Sequence, residues 1–167
     1  MGEPPGLTFR PVGPDDVDAV HRLHHAAFDG EAEPALAVAL LGGKAPFISI
    51  GALAGEGLVG HVLLSELKGP DRALALAPLA VAPEQQGTGI GSALVERALA
   101  AAAAAGWRSV FVLGDPAYYR RFGFSASLAD AVMSQWQGPH LMALELDPEA
   151  LAGYRGPIVY APPFDDL

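Results

Sequence analysis

A glycine-rich loop between a predicted strand and a predicted helix constrains this chain more than any other feature. An apolar run at residues 74–81 precedes the loop, which extends from Glu84 to Gly91, and an alanine-rich stretch follows it to about Ala105. Alternate glycines let a backbone approach a ligand closely and adopt conformations that other residues resist. The loop ends at a helix N-terminus, where free N–H groups and the positive end of the helix dipole attract anions. The segment therefore predicts a strand–loop–helix unit that binds phosphate.

Two interpretations of the loop compete. A dinucleotide-binding fold requires G-x-G-x-x-G and an acidic residue about 20 residues further on. Here Gly87, Gly89 and Gly91 give G-x-G-x-G, Ser92 takes the sixth place, and Asp115 follows the next strand-like run too late. A Walker loop is excluded because the chain has no Gly-Lys-Ser/Thr. The other interpretation is the pattern Gln-x-x-Gly-x-Gly, which begins at Gln86.

A second segment favours the latter interpretation. Tyr119-Arg120-Arg121-Phe122-Gly123-Phe124 fits Tyr-x-x-(apolar)-Gly-Phe, separated from the loop by one helix, one strand and a turn. The two motifs in this order resemble the GNAT superfamily of N-acetyltransferases, most clearly over residues 74–124. The resemblance implies an α+β (mixed α/β) acyl-CoA acyltransferase fold. Its central twisted sheet is mostly antiparallel, with a splayed parallel pair formed by the fourth and fifth strands and with flanking helices.

The order of predicted elements, β-α-α-β-β-β-α-β-α-β, agrees with that fold. Strands are predicted at residues 7–10, 46–54, 58–67, 72–82, 109–113 and 140–146, with a further short strand at 158–160 and a helical turn at Asp147. Helices are predicted from Pro14, over 33–41, from the loop to 105, and over 116–122. Pro78 cannot donate to a ladder, so it indicates either an irregular strand or a bulge that splays the fourth strand from the fifth.

Composition narrows the classes of function. The length of 167 residues predicts a single domain over residues 1–167, and the absence of cysteine excludes disulfides, thiolate metal sites and a cysteine nucleophile. A formal charge of −9 argues against nucleic-acid partners. The sequence shows no signal peptide and no membrane-spanning run, so we expect a cytoplasmic protein. A monomer or a homodimer is expected. No metal site is predicted.

The resemblance also implies the cofactor, acetyl-CoA, and the residues that bind it. Backbone amides from Gln86 to Gly91 would hold the pyrophosphate, and the fourth strand would pair with the pantetheine, with the N–H of Leu79 contacting the oxyanion. Tyr119 corresponds to a tyrosine that protonates the departing thiolate in many members. The alternative is that Tyr119 only packs in the core, in which case Tyr118 would be the candidate for the acid. The full expected set is Leu79, Ala80, Val81, Gln86, Gly87, Thr88, Gly89, Ile90, Gly91, Ser92, Asp115, Tyr118 and Tyr119. Arg120 and Arg121 either reach the phosphates or are exposed helix residues.

The general base stays open. Some members carry a glutamate on the fourth strand, but the corresponding position here is Ala75. Histidine titrates near neutrality and could serve as the base, or it could have a structural role instead. A relay of the proton by water is the alternative to a base. The candidates are Glu31, Glu33, Glu66, Glu84, His21, His24, His25 and His61. Since His24 and His25 are adjacent, they are expected to point in different directions.

The acceptor is expected to be a small-molecule or peptide amine. In the superfamily it contacts the first two helices and the C-terminal segments, which here supply apolar and acidic side chains. The expected acceptor residues are Phe28, Glu31, Glu33 and His61, with Asp29, Trp136 and Tyr160 in the same segments. Two other functions compete with transfer to an amine: a non-catalytic acyl-CoA-binding or sensor domain, and a dinucleotide-dependent oxidoreductase.

Overall fold

The computed structural model describes residues 6–167 and contains one mixed sheet of six strands in the order β1-β2-β3-β4-β5-β6. The strands are β1 (Leu7–Pro11), β2 (Phe47–Ala54), β3 (Gly57–Leu67), β4 (Ala73–Val81), β5 (Ser109–Leu113) and β6 (Leu141–Glu145). The helices are α1 (Val17–Ala27), α2 (Ala32–Leu41), α3 (Ile90–Ala104) and the short α4 (Pro116–Tyr119). The predicted fold class is confirmed, and so is the predicted order of elements.

All neighbouring strands are antiparallel except β4 and β5, which are parallel and joined through α3. A parallel pair needs a crossover connection, and the alanine-rich helix provides it. The alternation of side chains along β3 separates two faces. Val62 and Leu64 pack with α3, while Leu63 packs with α1 and α2.

The bulge predicted at Pro78 is present. Val62 lies opposite Leu79 and Leu64 lies opposite Leu76, so two steps along β3 match three steps along β4. The extra residue falls within β4 beside Pro78. On the other side of β4, pairing with β5 ends at Ala75 and Phe111. Beyond that point the two strands diverge, and a cleft opens between them.

Two expectations about the C-terminal part were wrong. The segment at 158–160 forms no strand, because its residues bond to different segments: Val159 makes one isolated bridge with Lys68, whereas Ile158 N–H donates to Met133 O at 3.2 Å. Asp147 begins a hydrogen-bonded turn rather than a helical turn, with Ala150 N–H donating to its carbonyl at 3.1 Å. No helix within residues 6–167 is long and apolar enough to cross a bilayer.

Candidate active site

The glycine-rich loop ends at the N-terminus of α3, beside the cleft. Gly87 and Gly89 have φ of +79° and +92°, left-handed values that side chains resist, and a Cβ at either would meet nothing within 4 Å. Glycine is therefore favoured at both positions by the backbone conformation and not by a lack of room, and the space beside the loop is open. Ala93 N–H makes the first bond of the helix, to Gly89 O at 3.1 Å. The N–H groups of the three preceding residues therefore point out of the helix end.

Two polar side chains fix the shape of this loop. The Gln86 amide donates to Val81 O at 3.0 Å, and the Thr88 hydroxyl donates to Gln85 O at 2.6 Å. Both side chains thus hold the loop to itself and to the end of β4. This leaves the backbone of the loop, rather than these two side chains, as the donor set for an anion.

The pairing of β3 with β4 decides which backbone groups of β4 face the cleft. Ala82 N–H donates to Val59 O at 2.8 Å, so these two residues form a hydrogen-bonded pair. Leu79, three residues before Ala82 in β4, lies opposite Val62. Hydrogen-bonded and non-bonded pairs alternate along an antiparallel ladder. Leu79 and Val81 therefore occupy non-bonded pairs. Their N–H and C=O groups turn away from β3, toward the side from which β5 has diverged.

The two adjacent tyrosines of α4 lie in different places. The Tyr118 hydroxyl lies 3.3 Å from the Ser92 hydroxyl at the start of α3, and the Arg121 guanidinium lies 4.6 Å from the centre of the Tyr118 ring. Tyr119 instead lines the cleft with Leu79. The structure thus separates a tyrosine beside the glycine-rich loop from a tyrosine at the cleft.

The Tyr119 ring is held by close packing. It packs edge-on to Tyr118 and to Phe124, with ring centres 5.0 and 5.7 Å apart. A Cβ on Gly114 would lie 2.7 Å from the Tyr119 ring, so only glycine fits there without displacing the ring. Burial, and then the neighbouring Tyr118, raises the pKa of Tyr119 to about 12. Tyr119 is therefore a neutral hydrogen-bond donor at physiological pH.

Asp115 has a structural contact of its own. Its carboxylate accepts the Ala117 N–H at 3.0 Å and caps α4, and its side chain is exposed. The cap fixes the start of the turn that carries both tyrosines.

The cleft is the mouth of a cavity of about 440 Å³. Ala75, Leu79 and Val112 line its β4–β5 side. The opposite side is formed by α1, α2 and the C-terminal segments, through Phe28, Glu33, Leu36, Trp136, Tyr160 and Phe164. The first two helices and the C-terminal segments therefore meet at one cavity, as the resemblance implied.

The structure separates the candidate bases. Among the described residues that line the cavity, Glu33 carries the single acidic side chain. Glu31, two residues earlier, is exposed and faces His25 and His21 at 3.1 and 3.7 Å. Ala75 lines the cavity without a carboxylate, so Glu33 is the acid that the tertiary structure brings to the site.

His61, which we expected at the acceptor, is fully buried instead and does not line the cavity. Its Nε2 lies 2.7 Å from the Ser49 hydroxyl and its Nδ1 lies 2.9 Å from His24 Nε2, so β3 is tied to α1. Burial lowers the pKa of His61 to about 3 and that of His24 to about 4. His25 is exposed, so the two adjacent histidines do point in different directions.

Sequence analysis missed two residues that shape the site. Gly114 clears room for the Tyr119 ring, and Gln137 donates to the carbonyls of Ala129 and Val132 at 2.9 and 2.8 Å. Gln137 thereby anchors the loop that presents Trp136. Gly114 begins the segment Gly-Asp-Pro-x-Tyr-Tyr that leads into the second motif, whereas no local signal distinguishes Gln137 from a surface glutamine.

A mixed sheet that opens at its one parallel pair, with a glycine-rich helix N-terminus beside the opening, defines the acyltransferase class that the two motifs predicted. Residues 47–126 match the family described as Acetyltransferase (GNAT) domain. The uncharacterized N-acetyltransferase YhbS of Escherichia coli K12 is 31% identical over an alignment of 155 residues that covers 88% of this chain and 92% of YhbS. The uncharacterized N-acetyltransferase YjhQ of the same strain is 33% identical over 132 residues, 74% of this chain and 72% of YjhQ. The chain belongs to the GNAT acetyltransferase family.

Solved structures agree with this assignment. The crystal structure of Escherichia coli YhbS in complex with CoA has a TM-score of 0.89 and 27% sequence identity. The superposition covers 99% of this chain and 96% of the YhbS chain. A GNAT family acetyltransferase from Brucella melitensis in complex with acetyl-CoA has a TM-score of 0.80 and 28% identity, with coverage of 95% and 98%.

Proposed function

We propose that this chain is an N-acetyltransferase that moves an acetyl group from acetyl-CoA directly to a primary amine of a small molecule or peptide. One observation carries the proposal: Leu79 of β4 and Tyr119 of α4 line one cleft between β4 and β5, and the α3 N-terminus adjoins the end of β4, where a Cβ on Gly91 would lie 3.6 Å from the Val81 side chain. The CoA and acetyl-CoA bound to the two solved relatives support the choice of cofactor.

The residues present fit such a cofactor. The open space above Gly87 and Gly89 leaves room for a pyrophosphate against the free N–H groups of α3. Leu79 and Val81 would pair with the pantetheine amides along the side of β4 that β5 leaves open. When bound, acetyl-CoA supplies the acetyl thioester and departs as a thiol.

Three residues would carry the transfer. Glu33 would hold the incoming ammonium and accept its first proton. The Leu79 N–H would donate to the carbonyl oxygen as negative charge develops on it. The Tyr119 hydroxyl would donate a proton to the sulfur as the C–N bond forms and the C–S bond breaks.

The protons balance in this scheme. The ammonium nitrogen loses two protons: one leaves through Glu33 to water, and the other replaces the proton that Tyr119 gives to sulfur. A thiol has a pKa of about 8.5, well below the value near 12 of Tyr119. Tyr119 therefore acts as a relay that is reprotonated from the nitrogen, and not as a strong acid.

The test has two parts. Calorimetry with CoA measures binding, and release of free thiol with acetyl-CoA and a panel of primary amines measures transfer, with the acetylated amine identified by mass spectrometry. We expect micromolar binding and amine-dependent thiol release. Binding without transfer to any amine would instead favour the acyl-CoA-binding or sensor function. Absence of CoA binding by the folded protein would refute both.

A further inference from the structure

We infer that the acceptor is a primary amine attached by a short linker to an aromatic or similarly apolar body. This inference rests on the proposed function and names the substrate class of the same cavity. The argument comes from the side of the cavity that faces away from β4 and β5.

Three aromatic side chains form that side of the cavity and are called here the aromatic wall: Trp136, Tyr160 and Phe164. Trp136 packs edge-on to Tyr160 with ring centres 5.0 Å apart, and Tyr160 packs against Phe164 at 5.0 Å. Phe28 and Leu36 complete the apolar surface. Burial raises the pKa of Tyr160 to about 12, so its phenol stays uncharged. Such a wall gains free energy by covering an apolar ring and gains less by covering a hydroxylated one.

The aromatic wall is held from two sides. The carbonyl of Lys68 accepts the Val159 N–H at 2.8 Å, next to Tyr160, and Gln137 anchors the loop next to Trp136. The wall is thus built before a ligand arrives, which lowers the ordering cost of binding.

Glu33 supplies the other half of the recognition. It lies half-buried in the first turn of α2, lines the same cavity and forms no ion pair with any described residue. A single carboxylate beside an aromatic wall matches one ammonium group beside one apolar body. A polyamine would bring a second ammonium into a cavity whose described lining offers it no second acidic side chain.

The size of the cavity limits the body. Its volume of about 440 Å³ must hold both the acyl end of the cofactor and the acceptor. This suits one ring system with a short aminoalkyl chain, whereas most of an oligopeptide or an aminoglycoside would project out of the cavity.

The test compares four probe amines: phenethylamine, n-butylamine, putrescine and glucosamine. We expect kcat/KM for phenethylamine to exceed that for n-butylamine by at least about tenfold, because the ring adds buried apolar area. Putrescine and glucosamine should be poorer than n-butylamine. Trp136→Ala should reduce the preference for phenethylamine over n-butylamine to less than about threefold, because the ring loses its main contact.

Glu33→Gln should lower kcat/KM for phenethylamine and n-butylamine alike by at least about tenfold, because both lose the same ion pair. Asp18→Asn on α1 is the matched control, since Asp18 is exposed and lies outside the cavity lining. It should change neither value.

Binding gives a readout that is independent of turnover. Phenethylamine added to the CoA complex should change the fluorescence of Trp136 with a Kd that Glu33→Gln raises, whereas 2-phenylethanol, which lacks the amine, should bind more weakly. Preference for putrescine or glucosamine would overturn the inference but leave the proposed function standing. If no amine is acetylated, the proposed function fails. Absence of Glu33-dependent binding of phenethylamine would then overturn the inference as well.

Discussion

Tyr119 lines the cavity, and its ring is packed against Tyr118 and Phe124. Tyr119→Phe leaves that ring in place but removes the hydroxyl that we propose as the proton relay, so it should lower kcat by about 10²–10⁴-fold. CoA affinity measured by calorimetry should change little. Unimpaired turnover would show that the ring only packs.

Tyr118→Phe is the matched control for that substitution. The Tyr118 hydroxyl lies beside Ser92 rather than in the cleft, so its loss should weaken CoA binding modestly and leave kcat nearly unchanged. The reverse pattern, with kcat lost in Tyr118→Phe and kept in Tyr119→Phe, would exchange the two roles.

Gly89 tests the phosphate-binding loop. Gly89→Glu places a carboxylate where phosphate should lie and forces a side chain into a left-handed conformation. CoA affinity should fall by more than about tenfold, because like charges repel at a site that binds anions. Gly153→Glu introduces the same residue at a comparable φ of +78°, also with nothing within 4 Å. This control should bind CoA normally, and equal affinity in both variants would remove the basis of the assignment.

The connection between β5 and α4 acts as one element, because Gly114 and the Asp115 cap together set the position of Tyr119. Gly114→Ala puts a methyl group 2.7 Å from the Tyr119 ring. The ring must shift, so kcat should fall by about tenfold or more while the fold persists. Gly13→Ala, where a Cβ meets nothing within 4 Å, is the control and should leave kcat unchanged. A Gly114→Ala enzyme with normal kcat would mean that the Tyr119 position is not critical.

The contact between α1 and β3 makes stability depend on pH. The pKa values of His24 and His61 fall to about 4 and about 3 in the fold, whereas unfolded histidine titrates near 6.5. Below pH ~6.5 the unfolded state therefore binds more protons than the folded state, and stability falls with decreasing pH. Above pH ~6.5 the two histidines do not lower the free energy of unfolding. At pH ~5 each of them should lower it by about 2 kcal/mol.

Urea unfolding at several pH values checks this dependence. His24→Leu should flatten the loss of unfolding free energy between pH ~7.5 and ~5, since it removes one of the two buried imidazoles. His25→Gln changes the exposed neighbour and should retain the wild-type slope. Equal slopes in wild type and His24→Leu would mean that the buried pair does not control acid stability.

At the scale of the whole molecule, one cavity must bring amine and thioester together. The chain has no cysteine for a covalent acetyl-enzyme, and no serine motif offers a substitute. Double-reciprocal plots with both substrates varied should therefore intersect, as a ternary complex requires. Parallel lines, together with an added acetyl mass on the protein after incubation with acetyl-CoA alone, would contradict direct transfer. A cytoplasmic location and a monomeric or homodimeric state stay predictions.

The sequence by itself determined the local units. Glycines at 87 and 89 mark positive φ values, the period of the alanine-rich stretch marks α3, and Pro78 marks the bulge in β4. Each of these signals is carried by residues adjacent in the chain, so backbone preference alone reveals them. The same kind of local signal wrongly predicts a strand at Val159. Alternation is visible in neighbouring residues, but strand pairing depends on a partner that is distant in the chain.

Only the tertiary structure decided which side chains meet. Glu31 and Glu33 look alike in sequence, yet a two-residue step around α2 puts one on the surface and the other in the cavity. His61 looked like an acceptor residue until packing of α1 on β3 buried it between Ser49 and His24. Trp136 and Tyr160 form one wall because backbone hydrogen bonds join their segments: Met133 N–H donates to Gly156 O at 2.9 Å, and Ile158 N–H donates to Met133 O at 3.2 Å. Such contacts depend on how helices and loops pack across the sheet, and no pattern of neighbouring residues encodes that packing.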